Sequence, residues 1–148
     1  MEFAQGTSLH SFTKTKIHRK LADKECKPIF KQVLQAIEYC HSRGFCHRDI
    51  KIDNIIVDKA LKVKLIDFGF STYTNELLKV YCGILSYEAP EIVTKTPYYG
   101  QMSDMWALGI LLFTLLEGFY LFKASTDKEL YIKIAKGVSV QSSGEYFS

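Results

Sequence analysis

His47-Arg48-Asp49-Ile50-Lys51-Ile52-Asp53-Asn54, followed thirteen residues after Asn54 by Asp67-Phe68-Gly69, is the stretch on which the reading of this chain turns. Upstream of it, Ile29, Phe30, Val33, Leu34, Ile37 and Cys40 recur at spacings of three and four. That period marks one buried helical face and predicts a helix from Asp23, as its N-cap, to about Ser42, closed by Gly44. Pro28 removes one hydrogen bond from its first turns. Between the two motifs, Ile55-Ile56-Val57 and Leu61 to Ile66 flank the turn Asp58-Lys59-Ala60. Leu61, Val63 and Leu65 alternate with Lys62 and Lys64, the pattern of a half-buried strand in a hairpin. The charged stretch therefore lies on the loop between a helix and a hairpin, and the Asp-Phe-Gly triplet on the loop leaving that hairpin.

Further out the signals are simpler. Met1 to Phe3 is a short apolar stub, turned by Gly6, ahead of a segment from Thr7 to about Lys16. Residues 67 to about 101 show no sustained period, and a stretch of that length inside a compact domain is usually functional. Ser103 is expected to cap an apolar helix over Asp104 to Glu117, ended by Gly118. Being hydrophobic nearly all round, this helix should lie in the core. A last helix is expected from about Asp127 to Lys136, ended by Gly137. The sum is a mainly α fold with a small β-hairpin and a long ordered loop.

Composition narrows the function classes. The chain has 148 residues, 47% hydrophobic and 24% charged, which suits one globular domain and not a disordered segment. Nineteen basic against sixteen acidic residues give a net charge of +3, too mild to argue for nucleic-acid or membrane binding. The longest apolar run, Trp106 to Leu116, is broken by Gly109 and Thr114 and falls short of the roughly 20 residues a span requires. No secretory leader opens the chain, so a soluble, cytoplasmic protein with reduced thiols is expected. Cys40-His41 and Cys46-His47 imitate zinc pairs. The first pair, however, falls near a helix end, and His47 has a better use at the head of the charged stretch.

These residues resemble the protein kinases. His47 to Asn54 is similar to their catalytic loop and Asp67-Phe68-Gly69 to their metal-binding triplet. Phosphoryl transfer is catalysed mostly by positioning and by neutralising charge on the phosphates. The resemblance implies that Asp49 accepts or orients the proton of a substrate hydroxyl and that Lys51 steadies the transferring phosphate. It implies that Asn54 and Asp67 hold Mg2+, whose preference is for carboxylate and amide oxygens. Met1-Glu2-Phe3-Ala4 resembles the hinge strand, with backbone groups of Glu2 and Ala4 meeting the adenine of ATP and Ile56 packing under it. Ala89-Pro90-Glu91 is similar to the triplet closing the activation segment, and Ser103 to Gly109 to the start of the central helix. In that helix Asp104 would bond to the backbone of the catalytic loop, and Leu111 and Leu115 would support the adenine side. Asp-Ile-Lys points to the serine/threonine type. Gly69-Phe70-Ser71 and Tyr81-Cys82-Gly83 lean towards the calmodulin-dependent and AMP-activated branch, with its microtubule-affinity and sperm-motility relatives.

By that resemblance residues 1–148 are a partial kinase domain, with the hinge at 1–6 and the C-terminal lobe at 7–148, short at both ends. Gly6 is the only glycine before Gly44, so this chain holds no glycine-rich phosphate loop of the N-terminal lobe, which is expected to be missing. The partner arginine of Glu91 is expected beyond Ser148. Three positions depart from the pattern. Val80 stands where a phosphorylated threonine would dock on Arg48, Ile84 where a hydroxyl would link Asp49 and Lys51, and Ser8 where an acidic residue contacts ribose. The expectation is an ATP- and Mg2+-dependent serine/threonine kinase, inactive as this isolated chain, with a serine- or threonine-bearing protein as substrate. The alternatives are a pseudokinase-type binding module, partnered by another kinase or a protein covering the N-lobe surface, and a truncated gene product.

Overall fold

The computed structural model describes residues 5–137. The chain enters through β1 (Thr7–Ser8) into α1 (Leu9–Lys14), then forms the long helix α2 (Asp23–Ser42). The short strand β2 (Phe45–Cys46) leads into the charged stretch, and the hairpin β3 (Ile55–Val57) and β4 (Val63–Leu65) follows. After it come β5 (Thr72–Tyr73), the single turn α3 (Pro90–Val93), the long helix α4 (Gly100–Glu117) and α5 (Asp127–Lys136). The fold is mainly helical, as expected. Its sheets are two small antiparallel patches, β1-β3-β4 and β2-β5.

The core forms where α2, α4 and the hairpin meet. Ile29, Val33 and Ile37 of α2 are buried against Leu108, Leu111 and Leu115 of α4 and Ile55 and Val57 of β3. Leu34, assigned to the buried face, is exposed, and Cys26 is buried in its stead. The start of α2 also differs from expectation. Its N-cap is Ala22, and Asp23 stands inside the first turn with Glu25. There the carboxylates favour the helix through its dipole and not through a capping bond.

Helix α4 begins at Gly100, four residues before the expected start at Asp104, with Tyr99 as N-cap. Ser103 is not the cap; its hydroxyl donates back to the Gly100 carbonyl (2.8 Å). The earlier start places Asp104 in the second turn, facing the charged stretch. The helix is not enclosed on every side: Met102, Met105 and Leu116 are exposed along one stripe. Gly118 ends it in the left-handed conformation (φ 74°), and a Cβ there would meet the His18 carbonyl oxygen at 2.1 Å. Gly6 (φ 129°) lies so close to β3 that a Cβ would meet the Val57 carbonyl oxygen at 2.5 Å. Only glycine admits both the conformation and the approach.

Candidate active site

Asp104 organises the site. Its carboxylate is 1% exposed and accepts the backbone N–H groups of His47 and Arg48, both at 2.8 Å, together with His41 Nε2 at 2.8 Å. A buried carboxylate needs such donors to offset its lost hydration. The bond holds Arg48 in the left-handed region (φ 62°), a conformation that costs of order 1–3 kcal/mol for a non-glycine residue and persists only where surrounding contacts fix it.

His47 is fully buried, and its contacts determine its protonation. The Asp49 N–H donates to Nδ1 (3.2 Å), so Nδ1 carries no proton, and Nε2–H donates to the Ile66 carbonyl (3.2 Å). The imidazole is therefore neutral. Burial holds its pKa below the ordinary histidine value, against the opposing pull of the Asp104, Asp49 and Asp67 carboxylates. The ring also packs edge-on against Phe68, with centroids 4.7 Å apart. In this way one histidine ties the charged stretch to the triplet beyond the hairpin.

Asp49, Lys51 and Asn54 come together. Lys51 Nζ donates to Asp49 Oδ2 at 2.7 Å, and Asn54 Nδ2 donates to the same oxygen at 2.7 Å and to the Asp49 carbonyl at 2.9 Å. One carboxylate oxygen is thus saturated and immobilised. Oδ1 accepts no bond among the described residues. The side chain is 3% exposed, so this oxygen is presented at the bottom of the site and not on an open surface.

The hairpin delivers Asp67 to the same place. The Ile66 N–H donates to the Asn54 carbonyl (2.9 Å), which sets Asp67 beside Asn54. Asp67 is exposed, has φ 62°, and accepts the Gly69 N–H at 3.2 Å on Oδ1. The Asn54 amide uses both its bonds as a donor, leaving its oxygen without a hydrogen-bond donor among the described residues. One carboxylate and one amide oxygen suit Mg2+, which keeps several waters and shares its shell with phosphate oxygens. They do not form a closed cage. Among the described residues no group of three or more His, Cys, Asp or Glu could hold a metal. His41 and His47 are engaged as above, and the Cys46 thiol faces the Thr72 carbonyl. Of the residues expected on the nucleotide side, Ile56 lies half-buried in β3, paired with Ser8. Glu2 and Ala4 lie outside the described residues. Ser8 caps α1, accepting the Ser11 N–H at 3.1 Å, so its hydroxyl is already engaged.

The aperiodic segment closes over the site. Arg48 Nε donates to the Phe70 carbonyl (2.7 Å) and Nη1 to the Val80 carbonyl (3.3 Å), which Tyr98 Oη also reaches (2.8 Å). The Ile84 side chain is 47% exposed and offers nothing to Lys51. Tyr87 is buried, and its oxygen accepts the Ile52 N–H (3.4 Å). Glu88, which drew no attention in the sequence, lines a crevice together with Arg48, Asp49, Gly83 and Ile84. A lone acidic residue in an aperiodic segment carries no signal that would single it out.

A family model described as protein kinase domain matches residues 1–145. Sperm motility kinase 3A of Mus musculus is 40% identical over 139 residues, 93% of this chain and 27% of that protein. The probable serine/threonine-protein kinase HSL1 of Saccharomyces cerevisiae is 39% identical over 140 residues, covering 93% of this chain and 9% of that one. Human NUAK family SNF1-like kinase 1 is 38% identical over 139 residues, again 93% of this chain and 21% of the relative. The chain thus spans less than a third of each of these relatives.

Proposed function

The chain belongs to the protein kinase domain family, and from that premise we propose that it supplies the phosphoacceptor side of an ATP-dependent serine/threonine protein kinase. The observation that carries this reading is the Asp49 carboxylate, with one oxygen fixed by Lys51 and Asn54 and the other left open. An open, oriented oxygen is what a serine or threonine hydroxyl requires. As the hydroxyl oxygen bonds to the γ-phosphorus and the bond to the ADP oxygen breaks, the hydroxyl proton passes towards Asp49 Oδ1. Lys51, released from Asp49 by that neutralisation, steadies the transferred phosphate. Asn54 and Asp67 would hold Mg2+, whose charge offsets that of the phosphates. Ile56, with the backbone of Glu2 and Ala4, forms the adenine side.

In this reading residues 7–148 form the helical lobe and 1–6 the hinge. A covering lobe with a glycine-rich loop and a lysine completes the enzyme. Without that lid water stays in the site, so the 148-residue chain alone binds ATP weakly and gives no measurable transfer. We place it in the calmodulin-dependent and AMP-activated branch and in the cytoplasm. Among the described residues no helix is long and apolar enough to cross a membrane. The test is a chimera, with this chain replacing the matched segment of sperm motility kinase 3A. Expected is Mg2+-dependent phosphorylation of serine or threonine peptides, falling roughly 10²–10⁴-fold on Asp49→Asn. A folded chimera without transfer, or one indifferent to Asp49→Asn, overturns the proposal. Ile84 favours a second reading, a pseudokinase-type module that binds a kinase or its substrate without transfer; it predicts the inactive chimera.

A further inference from the structure

The mild overall charge conceals an uneven distribution. Residues 14–27 carry six lysines and arginines against Asp23 and Glu25, a local net of +4 that exceeds the +3 of the whole chain. The connection between α1 and α2 lies in this stretch. It makes one tight turn over Ile17–Arg19, in which His18 (φ 53°) and Arg19 (φ 60°) are both left-handed without being glycine. Two such residues in succession are strained and persist only where the surroundings fix them. The first residue of the turn, Ile17, is 83% exposed, more than any other large apolar side chain among the described residues.

The turn is braced on both flanks. Its His18 carbonyl oxygen packs against Gly118, and Lys20 Nζ pairs with Glu117 at 2.9 Å. The Leu21 N–H donates to the Leu115 carbonyl (2.9 Å), and Lys16 is held between Glu25 and the face of the Phe12 ring. Ile17 is thus held out by a fixed turn and not left out by a slack one. The acids of the neighbourhood each have a lysine: Glu25 has Lys16, Glu117 has Lys20 and Asp23 has Lys27. By contrast, the exposed side chains of Lys14, Arg19 and Lys24 enter no hydrogen bond or ion pair among the described residues. The loop after α4 runs alongside. His18, Arg19, Lys20 and Phe119 line one open hollow, and Lys123 Nζ lies over the exposed Phe119 ring, 3.6 Å from its centroid.

An apolar tip beside unpaired cations fits a surface that is anionic outside and apolar just beneath. We propose that this turn is a contact site for the anionic face of a phospholipid bilayer. Ile17 and Phe119 enter the headgroup boundary, while Lys14, Arg19 and Lys24 meet the lipid phosphates and carboxylates. An acidic protein segment would satisfy the cations equally well. Ile17 decides for the bilayer, because it is not among the residues that line the hollow and stands out from the surface. Two apolar side chains and three cations give a weak, reversible contact that lies on the membrane and does not span it. The inference is independent of the role of Asp49; it concerns where the lobe is held, at the negatively charged cytoplasmic leaflet.

The test is co-sedimentation of the full 148-residue chain with sucrose-loaded vesicles, made of phosphatidylcholine alone or with about one-third phosphatidylserine. Expected is binding to the phosphatidylserine vesicles, roughly tenfold or more above phosphatidylcholine at low salt and falling as salt screens the charges. Lys14→Gln, Arg19→Gln and Lys24→Gln each weaken it roughly fivefold, and Ile17→Ser roughly tenfold. Ile17→Trp strengthens it while keeping the demand for phosphatidylserine. Lys95→Gln, in the turn after α3, leaves it unchanged. Far-UV circular dichroism establishes that each variant is folded. Absence of binding to phosphatidylserine vesicles, binding indifferent to Ile17, or an equal loss on Lys95→Gln overturns the inference. Capture by a polyglutamate peptide without vesicle binding overturns it too, and assigns the cations to an acidic protein.

Discussion

Replacing Asp104 by asparagine tests how far one buried carboxylate holds the site together. The wild-type side chain offers both oxygens to donors: Oδ1 to the Arg48 N–H, Oδ2 to the His47 N–H and to His41 Nε2. Asparagine keeps one accepting oxygen and turns an NH2 group towards the other backbone donor. The substitution therefore loses at least one charge-assisted bond, about 1.5–3 kcal/mol, and strands a buried N–H, about 1–3 kcal/mol. Together these destabilise the fold by about 3–5 kcal/mol, the range for breaking a buried charged contact. For a chain of this size that lowers the melting temperature on the order of 10 °C. Thermal unfolding followed by far-UV circular dichroism measures it, with Asp53→Asn as the control. Asp53 meets His10 at 2.9 Å on the surface, with side chains 46% and 37% exposed, so its loss should cost under about 1 kcal/mol. If Asp104→Asn melts within a degree of the wild type, the view that this carboxylate fixes the charged stretch is wrong.

Three further outcomes follow from the same contacts. The folded state depresses the His47 pKa, so the unfolded chain binds more protons below the ordinary histidine value near 6.5. Stability should be full above about pH 7 and decline as pH falls towards 5, and urea titrations on His47→Gln should show a shallower decline. Tyr87→Phe strands the buried Ile52 N–H and should lower the urea midpoint by the equivalent of about 1–2 kcal/mol, with the m-value unchanged. Gly118→Ala forces a Cβ against the His18 carbonyl at a positive φ and should cost more than about 2 kcal/mol in the same titration, whereas Gly109, whose Cβ would meet nothing within 4 Å, should accept alanine without loss.

Helices long enough to repeat their pattern were legible in the sequence. α2 ends at Ser42 and α5 runs Asp127–Lys136, as periodicity and the flanking glycines indicate. The start of α4 was not legible, because Tyr99 and Gly100 carry no capping signal, whereas Ser103 imitates one. Two-residue strands such as Phe45–Cys46 are too short to display an alternation. In the site, the resemblance to the kinase catalytic loop singled out Asp49, Lys51 and Asn54, and all three lie within one loop, where five residues of chain suffice to bring them together. The pairing of Arg48 with the Phe70 and Val80 carbonyls could not be read, since main-chain oxygens have no residue identity. Glu88 was hidden for a further reason: its place in the crevice beside Arg48 and Asp49 appears only once the segment is folded against the loop.

The ties made by Arg48 have a consequence for how this chain can vary. Both acceptors are main-chain carbonyls, at Phe70 and Val80, and the Val80 side chain itself is 65% exposed. A clasp closed on the peptide backbone is indifferent to the side chain above it. Residue 80 is thereby free to drift among side chains of any charge while the segment keeps its anchorage. Because both acceptors are main-chain carbonyls, the clasp closes without a phosphorylated side chain at position 80.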